Sequence, residues 1–181
     1  MASVNNYITY AQSLQYEPQS LYLEGGQAGR ICVELKELGS KRILIISKSS
    51  NLTGKNIADF IHKLEEAGFR IFNYNIKFNY SSSSDITGAL NEYLGYNCDT
   101  IVVLGGAEEV FCAKKVSAMA VNNMKDPVEA EGYGKIKKDI SLLCCVSMDN
   151  STAISSNIAE FRDEKSGRWV TVMSEYLVPQ I

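Results

Sequence analysis

The run "IVVLGGAEEVF", Ile101 to Phe111, sets a glycine pair between a strand-like apolar stretch and the start of a helix-like one. Glycines at such a junction let backbone N–H groups approach an anion at a helix N-terminus, where the macrodipole favours negative charge. The residues that follow are Glu108 and Glu109, which stand where a phosphate would sit. Other chemistry is sparse. The single histidine, His62, lies inside "DFIHKLEEA". One imidazole cannot hold a transition metal without further convergent ligands, so it reads as a surface or boundary residue. The five cysteines, Cys32, Cys98, Cys112, Cys144 and Cys145, show no C-x-x-C spacing and read as reduced thiols packed as small hydrophobes. Cys144 and Cys145 are adjacent in an apolar run, which sends their side chains to opposite faces of a strand.

The elements that must carry these groups alternate in type. "RILIIS" (42–47), "FRIFNYNI" (69–76), "DTIVVLGG" (99–106) and "ISLLCCVS" (140–147) read as short β-rich runs. Between them, Ile57, Phe60, Ile61 and Leu64 recur at helical spacing, as do Ile86, Leu90 and Leu94 behind a serine cap. A further helix is expected from about Ala107 to Asn122. Such alternation predicts a doubly wound, mostly parallel α/β sheet with helices on both faces, of Rossmann-like type. "SLYLEGGQAGRICVELKELG" reads as a strand, a Gly25-Gly26 turn and a helix stopped at Gly39. "NIAEFRDEKSGRWVTVMS" reads as a C-terminal β-hairpin around "DEKSG". The chain reads as one domain over 1–181, with an N-terminal strand or arm region (1–24) and an α/β unit (25–181).

With 181 residues, 45% hydrophobic and 22% charged, the composition is that of an ordinary globular domain. A net charge of −3 gives no electrostatic footprint for nucleic acid or an anionic membrane. The N-terminus lacks a charged-then-apolar leader, and no run approaches the ~20 apolar residues of a membrane span. A cytoplasmic location is the expectation.

The segments "YLEGGQAGRICVELKELGSKRILIIS", "CDTIVVLGGAEEVFCAKKVSAMA", "GKIKKDISLLCCVS" and "DEKSG" occur in an order that resembles the N-terminal nucleotide-binding domain of the iron-containing (group III) alcohol dehydrogenases, the group of glycerol dehydrogenase and dehydroquinate synthase. The resemblance runs from about Tyr22 to Pro179. It implies an NAD- or NADP-binding fold, but this sequence departs from the family pattern at the contacts that matter. Gly105 and Gly106 match the family's glycine turn, whose third glycine falls on Ala107, whose Ser falls on Glu108 and whose Pro falls on Glu109. The family's Asp near the nicotinamide falls on Phe111, and the acidic residue expected at the adenosine ribose falls on Lys48. A lysine there either meets a 2′-phosphate or is a solvated loop residue. The second glycine-rich turn aligns with "SMDNSTAISSN" (147–157), which has no glycine and adds Asp149. The family's metal is held by an Asp and histidines on a helical domain that has no counterpart here, so no metal site is expected.

These departures suggest a non-catalytic, stand-alone relative without a cofactor, acting through a homodimer or another protein chain. The tyrosine-rich stretch Tyr7 to Leu23 either forms that contact, being aromatic enough to do so, or is a strand covered by its own chain. The competing reading is the NAD- or NADP-binding half of a split or truncated metal-dependent dehydrogenase. In that case Lys48, Gly105, Gly106 and Thr152 would be the cofactor-binding residues.

Overall fold

A computed structural model describes residues 28–137, 140–147 and 153–181. The expected strand and turn of Ser20–Gly26 and the Tyr7–Leu23 stretch lie outside these residues. Helix α1 (Ala28–Glu37) leads into β1 (Arg42–Ser47). A 3₁₀ turn (Ser49–Thr53) and α2 (Lys55–Glu66) connect β1 to β2 (Arg70–Asn75). Helix α3 (Ser83–Gly95) leads to β3 (Thr100–Gly105), and α4 (Ala107–Asn122) follows at once. After a 3₁₀ turn (Pro127–Ala130) come β4 (Gly132–Tyr133), β5 (Leu142–Ser147), β6 (Ile158–Arg162) and β7 (Trp169–Met173).

The main sheet is parallel, in the order β2-β1-β3-β5. Every residue of β3 is buried, and β1 is buried beyond Arg42. Continuous apolar runs such as "ILII" and "IVVL" form strands covered on both faces. One face, with Ile43, Ile45, Val102 and Leu104, packs on Cys32 and Leu35 of α1 and on Phe60 and Leu64 of α2. The other, with Leu44, Ile46, Ile101 and Val103, packs on Ile86, Ala89 and Leu90 of α3 and on Val110, Ala113 and Val116 of α4. Cys144 faces the first core and Cys145 packs against the second, as expected of neighbours on one strand. Gln180 and Ile181 bond backbone to backbone with Leu143 and Cys145, lining the outer edge of β5.

The expected hairpin is present, but not as an extension of the main sheet. β6 and β7 pair antiparallel, and the two-residue β4 joins β7 in parallel, making a separate small sheet. Its inner residues, Ala159, Phe161, Val170 and Val172, belong to the same core cluster as the buried side of α4. Helix α4 therefore lies between two sheets, and ten of its sixteen residues are buried. The loop before α3 is held by Asp85, which is fully buried. Its carboxylate accepts from the N–H groups of Lys77 and Phe78 and from the hydroxyls of Tyr74 and Ser82, while Ser82 caps the helix by accepting from the Asp85 N–H. Among the described residues, no helix is long and apolar enough to cross a membrane.

Candidate functional site

β1 and β3 are neighbours, yet the chain leaves β1 toward β2 and leaves β3 toward β5. That reversal opens a crevice beyond their carboxyl ends, the usual ligand position in an open α/β sheet. Lys48 follows β1 there, Gly105 ends β3 and Gly106 follows it. The structure thus brings together Lys48, Gly105 and Gly106 of the sequence-derived set. Thr152 and Asp149 lie outside the described residues.

The turn is filled from within. Glu109, at the third position of α4, folds back so that its Oε2 accepts the Gly106 N–H at 2.8 Å. Its Oε1 lies 3.3 Å from Lys48 Nζ. A side chain on Gly105 would meet Glu109 Cγ and Cδ at 2.6 Å, so glycine is required for the carboxylate to lie where it does. Glu109 is 1% exposed, while Glu108 is half-buried on the same turn. The Lys48 side chain, 24% exposed, is less solvated than a free loop lysine. The adjoining loop is pinned over β3 by Asn51, whose Nδ2 donates to the Leu104 carbonyl at 3.3 Å.

Two further lysines on α4 are fully buried, which the pair "KK" did not reveal. Lys114 Nζ donates to the carbonyls of Ala153 and Ser156, tying the loop after β5 to the helix. Burial lowers its pKa to about 8, against a smaller opposing influence of Cys145. Among the described residues Lys115 Nζ has no hydrogen-bond partner, and it faces the Phe161 ring at 5.6 Å. Burial lowers it to about 7, against the opposing charges of Glu129 and Asp126. The flanking "VFCA" and "VSAMA" were the available signal: apolar and small residues on every side leave a helix no wet face.

The remaining sequence candidates do not converge. His62 is exposed on α2, with Nδ1 3.4 Å from Glu66. Among the described residues, no group of three or more His, Cys, Asp or Glu side chains is placed to hold a metal. The cysteines are free, and burial pushes Cys145 up to about 12 and Cys98 to about 11, so neither is a ready thiolate. An open cleft of about 410 Å³ lies away from the glycine turn, between the first turn of α3 and the β6–β7 turn. Its mixture of Asp126, Asp163, Glu164, Lys125 and Lys165 sets no single charge preference.

A parallel sheet with a glycine turn at its switch point defines the class: a Rossmann-like α/β domain. A family model described as "Iron-containing alcohol dehydrogenase" matches residues 18–181, and the chain belongs to that family. Among solved structures, a 1,3-propanediol oxidoreductase is similar with a TM-score of 0.85 at 15% identity. An alcohol dehydrogenase from Oenococcus oeni follows at 0.84 and 20%. Each alignment covers 91% of this chain and 44% of the other. The NADH-dependent butanol dehydrogenase A of Thermotoga maritima gives 0.78 at 18%, over 92% and 44%. This chain thus spans less than half the length of those structures. Comparison with curated protein sequences gives no match.

The fold implies a dinucleotide, but the residues around the turn do not fit one as they stand. The Glu109 carboxylate already takes the Gly106 N–H and faces Lys48, the N–H and the cation that meet at the glycine turn. A second anion about 4 Å from that carboxylate would be repelled by roughly 4 kcal/mol at an effective dielectric near 20.

Proposed function

We propose that this chain is a non-catalytic member of the iron-containing alcohol dehydrogenase family, its nucleotide site degenerate, that works as an interaction or assembly module. The observation that carries this reading is the Glu109 carboxylate, buried on the glycine turn and backed by Lys48. It supports loss of the cofactor while the surrounding fold is kept. The outer face of the small sheet supports a contact role. Trp169 and Tyr133 are each 59% exposed, and Met173, paired with Tyr133 across the ladder, is 38% exposed.

Family membership favours one competing reading, a NAD- or NADP-binding half completed by another chain that supplies metal and catalytic groups. Calorimetric titration with NAD and NADP separates the two. The expected result is no binding tighter than a Kd of about 100 μM, roughly −5.5 kcal/mol. Tighter binding would overturn the non-catalytic reading and favour the split dehydrogenase.

A further inference from the structure

We propose that Glu109 is a self-supplied occupant of an oxyanion seat, and that removing this one side chain opens the turn to a phosphate-type anion with Lys48 as counter-ion. The inference rests on the reading above and adds to it that the block resides in a side chain while the backbone cradle is intact.

Three features make the cradle. The N–H of Gly106 opens a sixteen-residue helix, long enough for its aligned peptide dipoles to favour an anion at that end. The turn lies at the point where the strand order reverses. Lys48, from the neighbouring strand end, brings a cation to the same place. A separate observation argues that the seat is electropositive. A carboxylate only 1% exposed is aimed into it, and one of its oxygens, Oε1, is buried with the Lys48 ammonium 3.3 Å away and no hydrogen bond among the described residues. Burying a charge so sparsely satisfied is costly unless the surroundings favour that sign. Here the helix end and the Lys48 ammonium are those surroundings. Removing Glu109 leaves the Gly106 N–H and Lys48 without their partner, and clears the volume over Gly105 that its Cγ and Cδ fill. An external oxyanion can then take both contacts, with Glu108 remaining on the turn to weaken it.

The test uses the full chain and inorganic pyrophosphate, titrated by calorimetry at low salt into the unaltered protein, Glu109→Ala and the double variant Lys48→Met/Glu109→Ala. Glu109→Ala is expected to bind at least about tenfold tighter than the unaltered protein, and the double variant to lose that gain. A thermal midpoint that pyrophosphate raises in Glu109→Ala alone would agree. A folded Glu109→Ala that binds no tighter overturns the proposal. So does a gain that survives Lys48→Met, because the anion would then sit elsewhere. If Glu109→Ala fails to fold, Glu109→Gln carries the test, with a smaller gain expected and no gain overturning the idea. Tight dinucleotide binding by the unaltered protein would sink the preceding reading. A missing gain in the variants would sink this one and leave that reading standing.

Discussion

At the scale of single residues, Lys115 is the least expected side chain in the molecule. It is fully buried, without a hydrogen-bond acceptor among the described residues, and held by packing and by the face of Phe161. A cation over an aromatic ring recovers about 1–2 kcal/mol, less than desolvating an ammonium costs. Its pKa is therefore lowered, to about 7, well below that of a lysine in the unfolded chain. Between those two values the unfolded state binds more protons, so this residue's contribution makes stability rise with pH across the interval. Below the folded value both states are protonated, and the penalty is constant and largest. Lys115→Met should accordingly stabilise the protein by roughly 2 kcal/mol at pH 7. The gap between variant and parent should narrow toward pH 10. Urea titrations of both proteins at several pH values check this, and a gap that widens with pH would contradict the assignment.

Glu109 shows what a sequence can and cannot tell at this scale. Its place near a helix N-terminus was legible, because the strand, glycine pair and helix are adjacent in the chain. Its direction was not legible, because that depends on Lys48, which arrives from a different strand sixty-one residues earlier in the chain. The lysine pair was opaque for a related reason. Two adjacent lysines ordinarily mark a wet face; here the loop after β5 takes up Lys114 and the second sheet covers Lys115.

At the scale of elements, the four parallel strands and the helices between them were legible from periodicity. Buried parallel strands are unbroken apolar runs, and the helices between them repeat at three and four residues. Strand β4 was not legible: Gly132 and Tyr133 are too short a run to carry a period. Nor could the hairpin's alternation show that it would form a sheet of its own. Close packing sets a further constraint on α3. A side chain added at Gly88 would collide with the Tyr74 hydroxyl, which donates to Asp85 at 3.1 Å. Gly88→Ala gains roughly 1 kcal/mol of helix propensity. Displacing Tyr74 from a buried carboxylate costs about 1.5–3 kcal/mol in the lost bond, and overpacking adds to that. The expected outcome is a net loss of about 1–2 kcal/mol, readable as a lower midpoint in chemical denaturation. A raised midpoint would show that Tyr74 moves aside freely.

At the scale of the whole molecule, the interaction reading makes a claim about association. We expect a homodimer, or a tightly held partner chain, with the Tyr7–Leu23 stretch at the contact. Light scattering should give about twice 20.0 kDa for a homodimer. A clean monomer, with nothing specific retained in pull-downs, would remove support for an assembly role. Double substitution of Tyr10 and Tyr16 by Asp should weaken the dimer and leave the far-ultraviolet circular dichroism intact. Loss of secondary structure would instead place that stretch in the core.

The position of α4 between two sheets has a consequence for how the molecule opens. A helix with one dry stripe can fray toward solvent, exposing its amides while the rest of the fold stands. α4 buries ten of its sixteen residues, and detaching the small sheet from it would uncover Phe161, Val170 and Val172 together with Lys115. Opening there should therefore be shared across both sheets and not local. Native-state hydrogen exchange ought to show the central amides of α4, from Cys112 to Met119, exchanging at the slowest rate in the protein, with the same denaturant dependence as β3 and the inner residues of β6 and β7. If the small sheet instead exchanges early and alone while α4 stays protected, the two sheets are separable units and the helix belongs only to the first.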